Sequence, residues 1–201
     1  MTQVTAYTNE GRYKCLEDLP IDSAELSLGY CGWERCYPGH RFGPNKRTYY
    51  VLHIITNGKG KLEKNGEVFH LTTGDAFLLC PEEEAWYEAD KKEPWAYAWI
   101  GLYGYKVKKV MQYAGFSKEK SIRSLKCTAL LKSYVDEILE VHRLTTEESM
   151  RRNGYLNLFL ATLIEDNEKF NTKIDAGAYL SGDCICRTCN GVYKTSLQRK
   201  K

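Results

Sequence analysis

LTTGDAFLLCPEEEAWYEADKKEPWAYAWIGLYG, residues 71–104, decides the reading of the chain. TTGD (72–75) is a turn, and AFLLC (76–80) is a short apolar run of strand length. Pro81 ends that run, because proline has no N–H to give a sheet. WAYAWIGLYG (95–104) alternates large and small residues with a period of two, which predicts a second strand. Trp95, Tyr97 and Trp99 then share one face of it, with Ala96 and Ala98 on the other.

Upstream the texture is the same. YYVLHIIT (49–56) is dense in β-branched and aromatic residues, and NGKG (57–60) is a turn. Asn65-Gly66 sits between KLEK and EVFHL, a strong hairpin signal, since both residues tolerate positive φ. Strands recurring about every 8–12 residues predict an antiparallel sandwich or barrel. Residues 1–25 carry little pattern and read as an N-terminal arm before a barrel over 26–115. After Gly104 the period changes. A short helix is expected up to Gly115, and a longer one between Leu125 and His142. A third follows a cap at Thr145 or Thr146, carrying the stripe Tyr155, Leu156, Phe159, Leu160, Leu163 and Ile164. That stripe can pack on the barrel or against a second copy of the chain. The sum is a mainly β barrel followed by two to three helices, α+β overall. Residues 116–172 form the helical linker or dimerisation segment, and 173–201 an out-of-pattern basic tail expected to be disordered.

Charge argues against a nucleic-acid platform in the body. The net charge is +3, but residues 184–201 hold five basic residues and no acidic one, so the remainder carries about −2. MTQVTAYTNEGRYK lacks the apolar stretch of a signal peptide, and no apolar run approaches the ~20 residues of a membrane span. A cytoplasmic setting is therefore expected, with the eight cysteines as thiols. Cys31 and Cys36 could form half a metal site, and Cys184, Cys186 and Cys189 give C-x-C-x-x-C without a fourth ligand.

Three chemistries compete for the loop after Pro81. Glu82, Glu83 and Glu84 are adjacent, so their carboxylates point in different directions and read as a solvated loop. Turn, Gly-Asp, apolar strand, proline, loop and aromatic strand resemble the order of small cupin-type barrels. Metal-bearing members of that class carry His-x-His and a further histidine after the proline. Here His53 and His70 stand singly and EEEAWYEAD contains no histidine, so neither a metal nor another cofactor is expected. What remains is an aromatic wall. Indole and phenol faces stack on the C–H face of a sugar ring, and polar groups at the rim take its hydroxyls. Tyr87, Arg47 and His53 can serve there.

YVLH, GKG, LxxGDxFLLxP, WYxAD and PWxYxWIGLYG together resemble the effector-binding domain of AraC/XylS-family transcription regulators, and within it regulators of oligosaccharide-utilisation operons. The resemblance covers about Cys31 to Gly104, and the helices through Phe170 suit that family's linker. It implies a cupin-like barrel that binds a sugar, helices that form a homodimer, and DNA binding only through a C-terminal helix-turn-helix domain. By motif position it assigns Arg47, or less directly Arg41, together with Tyr87 and the stacking Trp99. A histidine common two residues before that tryptophan is Tyr97 here. The tail from about residue 177 lacks the pattern of a helix-turn-helix, so this chain is expected to lack a complete DNA-binding domain. A cupin-type sugar-modifying enzyme and a ligand-free dimerisation module are the rival readings.

Overall fold

The computed structural model describes residues 6–167. Eleven strands and three helices are found there: β1 Ala6–Asn9, β2 Tyr13–Glu17, β3 Ser27–Arg35, β4 Arg41–Lys46, β5 Tyr50–Asn57, β6 Lys59–Lys64, β7 Glu67–Thr72, β8 Asp75–Leu79, β9 Glu84–Ala89, β10 Ala96–Tyr103, α1 Val107–Tyr113, β11 Ile122–Ser124, α2 Thr128–Glu140 and α3 Thr146–Glu165. The strands build a seven-stranded sheet, ordered β1-β2-β3-β10-β5-β8-β11, and a four-stranded sheet, ordered β4-β9-β6-β7. Neighbouring strands run antiparallel, as the regular turn spacing predicted.

The large sheet is buried on both faces, and its alternation sorts residues between two cores. Val51, Ile55, Phe77, Leu79, Tyr97 and Trp99 face the small sheet, whose Leu62, Leu71 and Tyr87 complete that cluster. Leu52, Ile54, Leu78, Ala98, Ile100 and Leu102 face the helices instead. This is why AFLL reads as an unbroken apolar run and His53 is the one polar residue in VLHII. The apolar stripe of α3 joins the second core: Leu156, Phe159, Leu160 and Leu163 are buried with Leu131, Val135, Ile138 and Leu139 of α2. The stripe left open by the sequence is thus covered within the chain.

Helix ends follow local chemistry. α1 stops where Gly115 takes φ +79°, a conformation cheap only for glycine. Thr145 is extended ahead of α3, with Glu147 and Glu148 in the first turn. Arg152 is buried and donates to the carbonyls of Val141 and Arg143, each at 2.6 Å, which holds the turn between α2 and α3.

Two expectations need revision. Residues 6–17, which showed little pattern, form the β1–β2 hairpin, and β2 pairs with β3 as part of the large sheet. The acidic loop is not solvated throughout either. Glu82 sits at φ +63° and is exposed, but Glu83 is buried. Its Oε2 lies 2.8 Å from Lys64 Nζ, with both side chains at most 3% exposed, and it accepts the Cys80 N–H at 3.0 Å. Lys64 also donates to the Lys118 carbonyl at 3.2 Å, so the pair ties the post-proline loop to β6 and to the segment after α1. Removing one member leaves a buried charge alone. Glu83→Ala should cost about 3–5 kcal/mol in urea unfolding, and a paired Lys64→Met, Glu83→Leu replacement should recover most of that loss.

Candidate functional site

Between the sheets lies a cavity of about 230 Å³, lined among others by Arg47, His53, Tyr87, Tyr97 and Trp99. That volume is below the ~300–1,000 Å³ of drug-sized sites, so it suits one small ring rather than a chain of them. The five residues expected to form a site therefore share one cavity. They reach it from different elements: His53 from β5, Tyr97 and Trp99 from β10, Tyr87 from β9 of the opposite sheet, and Arg47 from the segment after β4.

Cross-strand register explains the grouping. His53 stands between Phe77 of β8 and Trp99 of β10 on the inner face. Its ring stacks on Phe77 with centroids 4.4 Å apart and planes 6° from parallel. Across the barrel the Tyr87 hydroxyl meets His53 Nε2 at 3.3 Å. Tyr97 donates to Glu34 Oε2 at 3.0 Å and packs against Trp99 at 5.6 Å. Trp99 can lie flat because Gly32 opposes it in β3, where a Cβ would come within 2.5 Å of the indole. Arg47 reaches over the Phe42 ring at 5.0 Å, and Phe42 in turn stacks on Tyr87 at 5.4 Å.

The wall is neutral and rich in donors. Burial, reinforced by the Arg47 charge, holds His53 well below the usual imidazole value, so it stays an uncharged ring. Burial pushes the Tyr87 phenol up to about 12, and it raises Tyr97 and Tyr30 further, so all three keep their protons. Arg47, Glu17 and Glu34 also line the cavity. Two cavity-lining groups have a buried polar atom without a protein hydrogen bond, Tyr30 Oη and His53 Nδ1. Buried polar atoms are almost always satisfied, so such a pair marks a place for a ligand or water.

Other expectations separate. Trp95, grouped by alternation with Tyr97 and Trp99, is 1% exposed and belongs to the core beside the cavity. Arg41 lies over the Trp86 ring at 3.9 Å and does not line the cavity, which leaves Arg47 as the guanidinium there. Sequence reasoning missed Tyr13 and Glu17 of β2, Tyr30 and Glu34 of β3, and Asn45 and Tyr49. Nothing local placed β2 next to β3 or marked Glu34 as facing the cavity. Cys31 and Cys36 are five apart, an odd interval that sends them to opposite faces: Cys31 to the helical core and Cys36 to the inter-sheet core. The C-x-C-x-x-C tail lies outside the described residues.

The AraC-like ligand binding domain family matches residues 27–156. The chain is 34% identical over 150 residues to the Msm operon regulatory protein of Streptococcus mutans, covering 74% of this chain and 54% of that protein. It is 36% identical over 89 residues to the lactose operon transcription activator of Staphylococcus xylosus, covering 44% and 31%. It is 38% identical over 94 residues to the raffinose operon transcriptional regulatory protein RafR of Pediococcus pentosaceus, covering 46% and 33%. The chain thus spans about half the length, or less, of the curated relatives it matches. Among solved structures, a cupin superfamily protein from Desulfitobacterium hafniense superposes with TM-score 0.33 at 10% identity, covering 50% of this chain and 76% of that one.

The neutral state of His53 has a thermodynamic signature. Its folded pKa is depressed, so the unfolded chain takes up a proton that the folded chain refuses, and stability falls as pH drops below the ordinary histidine value. Between about pH 6.5 and 5.5 this group should contribute a loss approaching 1.4 kcal/mol per pH unit. Urea unfolding at several pH values should show that slope flattened in His53→Gln.

Proposed function

The chain belongs to the AraC-like ligand-binding domain family, and from that premise we propose that its inter-sheet cavity senses a neutral sugar for a transcription regulator. The observation that carries this reading is the shared wall of Trp99, Tyr97 and Tyr87 with uncharged His53 and two unsatisfied polar atoms. Trp99 offers an apolar face for one side of a pyranose ring. Arg47 supplies a rigid fork of donors, the phenols donate or accept, and Glu34 accepts from ring hydroxyls. The names of the relatives, a lactose and a raffinose operon regulator among them, support a di- or trisaccharide with one terminal ring in the cavity.

A sensor must pass occupancy onward. The β1–β2 hairpin is suited to this. Tyr13 and Glu17 line the cavity, and Tyr13 packs on Trp99 at 5.8 Å. The same hairpin touches the helices, where Lys14 pairs with Glu140 at 2.5 Å and Tyr7 stacks on His142 with centroids 4.2 Å apart. Sugar contacts that favour one position of the hairpin would bias the α2–α3 pair, and through it a homodimer and an attached DNA-binding domain. Leu130 of α2 with Met150 and Leu158 of α3 are exposed apolar residues that support a contact between copies through these helices. No helix among the described residues is long and apolar enough to cross a membrane, and the proposal places the regulator in the cytoplasm. The cavity offers one histidine, held uncharged, and of its two carboxylates Glu34 is engaged by the Tyr97 hydroxyl, which supports a binding module over a catalyst.

Calorimetry and thermal-shift titration with lactose, raffinose and their component monosaccharides test this. A cognate sugar at a hundred times its Kd should stabilise the chain by about 2.7 kcal/mol. Trp99→Ala and Arg47→Ala should each weaken that sugar about tenfold or more while the chain remains folded. Absence of stabilisation by every neutral mono-, di- and trisaccharide would leave a ligand-free dimerisation module as the better account.

A further inference from the structure

The fold separates Cys36 from Cys31 and gives it different company. Glu34 and Cys36 are two residues apart at the end of β3, an interval that puts both side chains on the same face. The chain then turns at Pro38-Gly39, where Gly39 takes φ +70°, and His40 returns towards them. One carboxylate oxygen of Glu34, Cys36 Sγ and a ring nitrogen of His40 all lie within 4.8 Å of one another. His40 Nε2 is 3.5 Å from Glu34 Oε1.

Both ends of this turn are held by backbone bonds. Cys36 N–H donates to the Trp95 carbonyl at 3.1 Å, and the His40 carbonyl accepts the Ala89 N–H at 2.9 Å. The Arg12 guanidinium grips the carbonyls of Arg35 at 3.0 Å and Cys36 at 2.9 Å. The three donors therefore sit on a fixed frame, with only side-chain rotation left. Tetrahedral zinc, with bonds of about 2.0–2.3 Å, sets neighbouring ligand atoms about 3.3–3.9 Å apart. A contraction of about 1 Å, within reach of the half-exposed His40 ring and the Glu34 side chain, closes the difference.

We propose that Glu34, Cys36 and His40 form a binding site for one divalent transition-metal ion at the rim of the barrel. Thiolate, imidazole and carboxylate together select zinc and its borderline-soft neighbours over magnesium or calcium, which take oxygen ligands. Cys36 binds as the thiolate and its proton passes to solvent. Glu34 and Cys36 also border a surface groove of about 710 Å³, from which water can fill the fourth position. The site touches the cavity through Tyr97: the Glu34 carboxylate that would hold the ion accepts its hydroxyl, and the Cys36 thiol lies against it too. A metal on Glu34 draws charge from that carboxylate and loosens its hold on Tyr97, so metal and cavity ligand are linked sites. The ion is a structural and regulatory ligand, and its binding does not depend on the cavity taking a sugar.

The test is cobalt titration of the full chain with Cys184, Cys186 and Cys189 changed to Ser, so that tail thiols cannot supply the signal. One equivalent of Co²⁺ should give a thiolate-to-cobalt charge-transfer band in the near ultraviolet, with tetrahedral visible bands, all displaced by Zn²⁺. Cys36→Ser should abolish the charge-transfer band. His40→Ala, at a partly exposed turn position that carries no core packing, should weaken Co²⁺ binding on the order of tenfold or more with unchanged circular dichroism. No charge-transfer band in the parent overturns the proposal. So does a band of the same strength and affinity in both Cys36→Ser and His40→Ala.

Discussion

A sheet buried on both faces has no solvent side to absorb error, and the seven-stranded sheet imposes that condition on every strand near its centre. The buried apolar residues of β5, β8 and β10 are assigned to one of two cores by parity alone. A one-residue slip of β10 would send Tyr97 and Trp99 into the helices and Ala98 and Ile100 into the cavity, so register is set with unusual force. The small residue Ala98 lets the helices approach closely from behind, and the rings of Tyr97 and Trp99 close the inner side. The cavity wall and the helix platform are thus two faces of the same backbone. Neither can be repacked without the other feeling it.

Parity was also what made the fold readable. The strands around Asn65-Gly66, the run ended by Pro81 and the aromatic strand after Trp95 all announce themselves through period two and turn chemistry, which act over a few residues. The β1–β2 hairpin did not. Its residues are ordinary by local pattern, and Cys15 and Leu16 are buried only because β3 offers β2 an edge to pair with. β11, three residues within a segment read as helical, was invisible for the same reason. The site divides likewise. Arg47, His53, Tyr87, Tyr97 and Trp99 meet in one cavity, but Tyr13, Tyr30 and Tyr49 depend on strand order, which no local period encodes. Alternation also could not say where along β10 the cavity closes, and so it counted Trp95 with the wall although it lies in the core.

Charges were the least legible part. Three adjacent glutamates look equivalent in sequence, yet they meet three environments. Glu82 is exposed with left-handed backbone, Glu83 is buried against Lys64, and Glu84 is exposed at the start of β9. The turn supplies the difference: the positive φ at Glu82 reverses the chain so that Glu83 points inward at a lysine nineteen residues earlier in β6. Such a pair is a poor source of net stability against an apolar alternative, because both ions lose their water. Its structural consequence is geometric. It fixes the loop that leads into β9, and β9 carries Tyr87 into the cavity opposite His53.

The strength of each contact made by the β1–β2 hairpin bears on whether the cavity can speak to the helices. The Lys14–Glu140 pair has one partner 68% exposed, so it is worth about 0–1 kcal/mol. The Tyr7–His142 stack adds a further ~0.5–1.5 kcal/mol by analogy with aromatic pairs. These two outer contacts sum to a small total, comparable with the 1–3 kcal/mol typical of coupling between sites, while Leu16 of β2 is fully buried in the core shared with the helices and holds the strand itself in place. The inner side of the same strand is different: Cys15 is fully buried in the inter-sheet core and Tyr13 packs on Trp99. A ligand on Trp99 competes for the packing surface of Tyr13 first, and any displacement there acts on contacts weak enough to break. A stronger link, such as the Glu83–Lys64 pair, would resist a shift of that size, and a weaker one would carry no information. The Lys14 and Tyr7 contacts lie between these limits, and on the proposed reading a ring held against Trp99 would act on them through Tyr13.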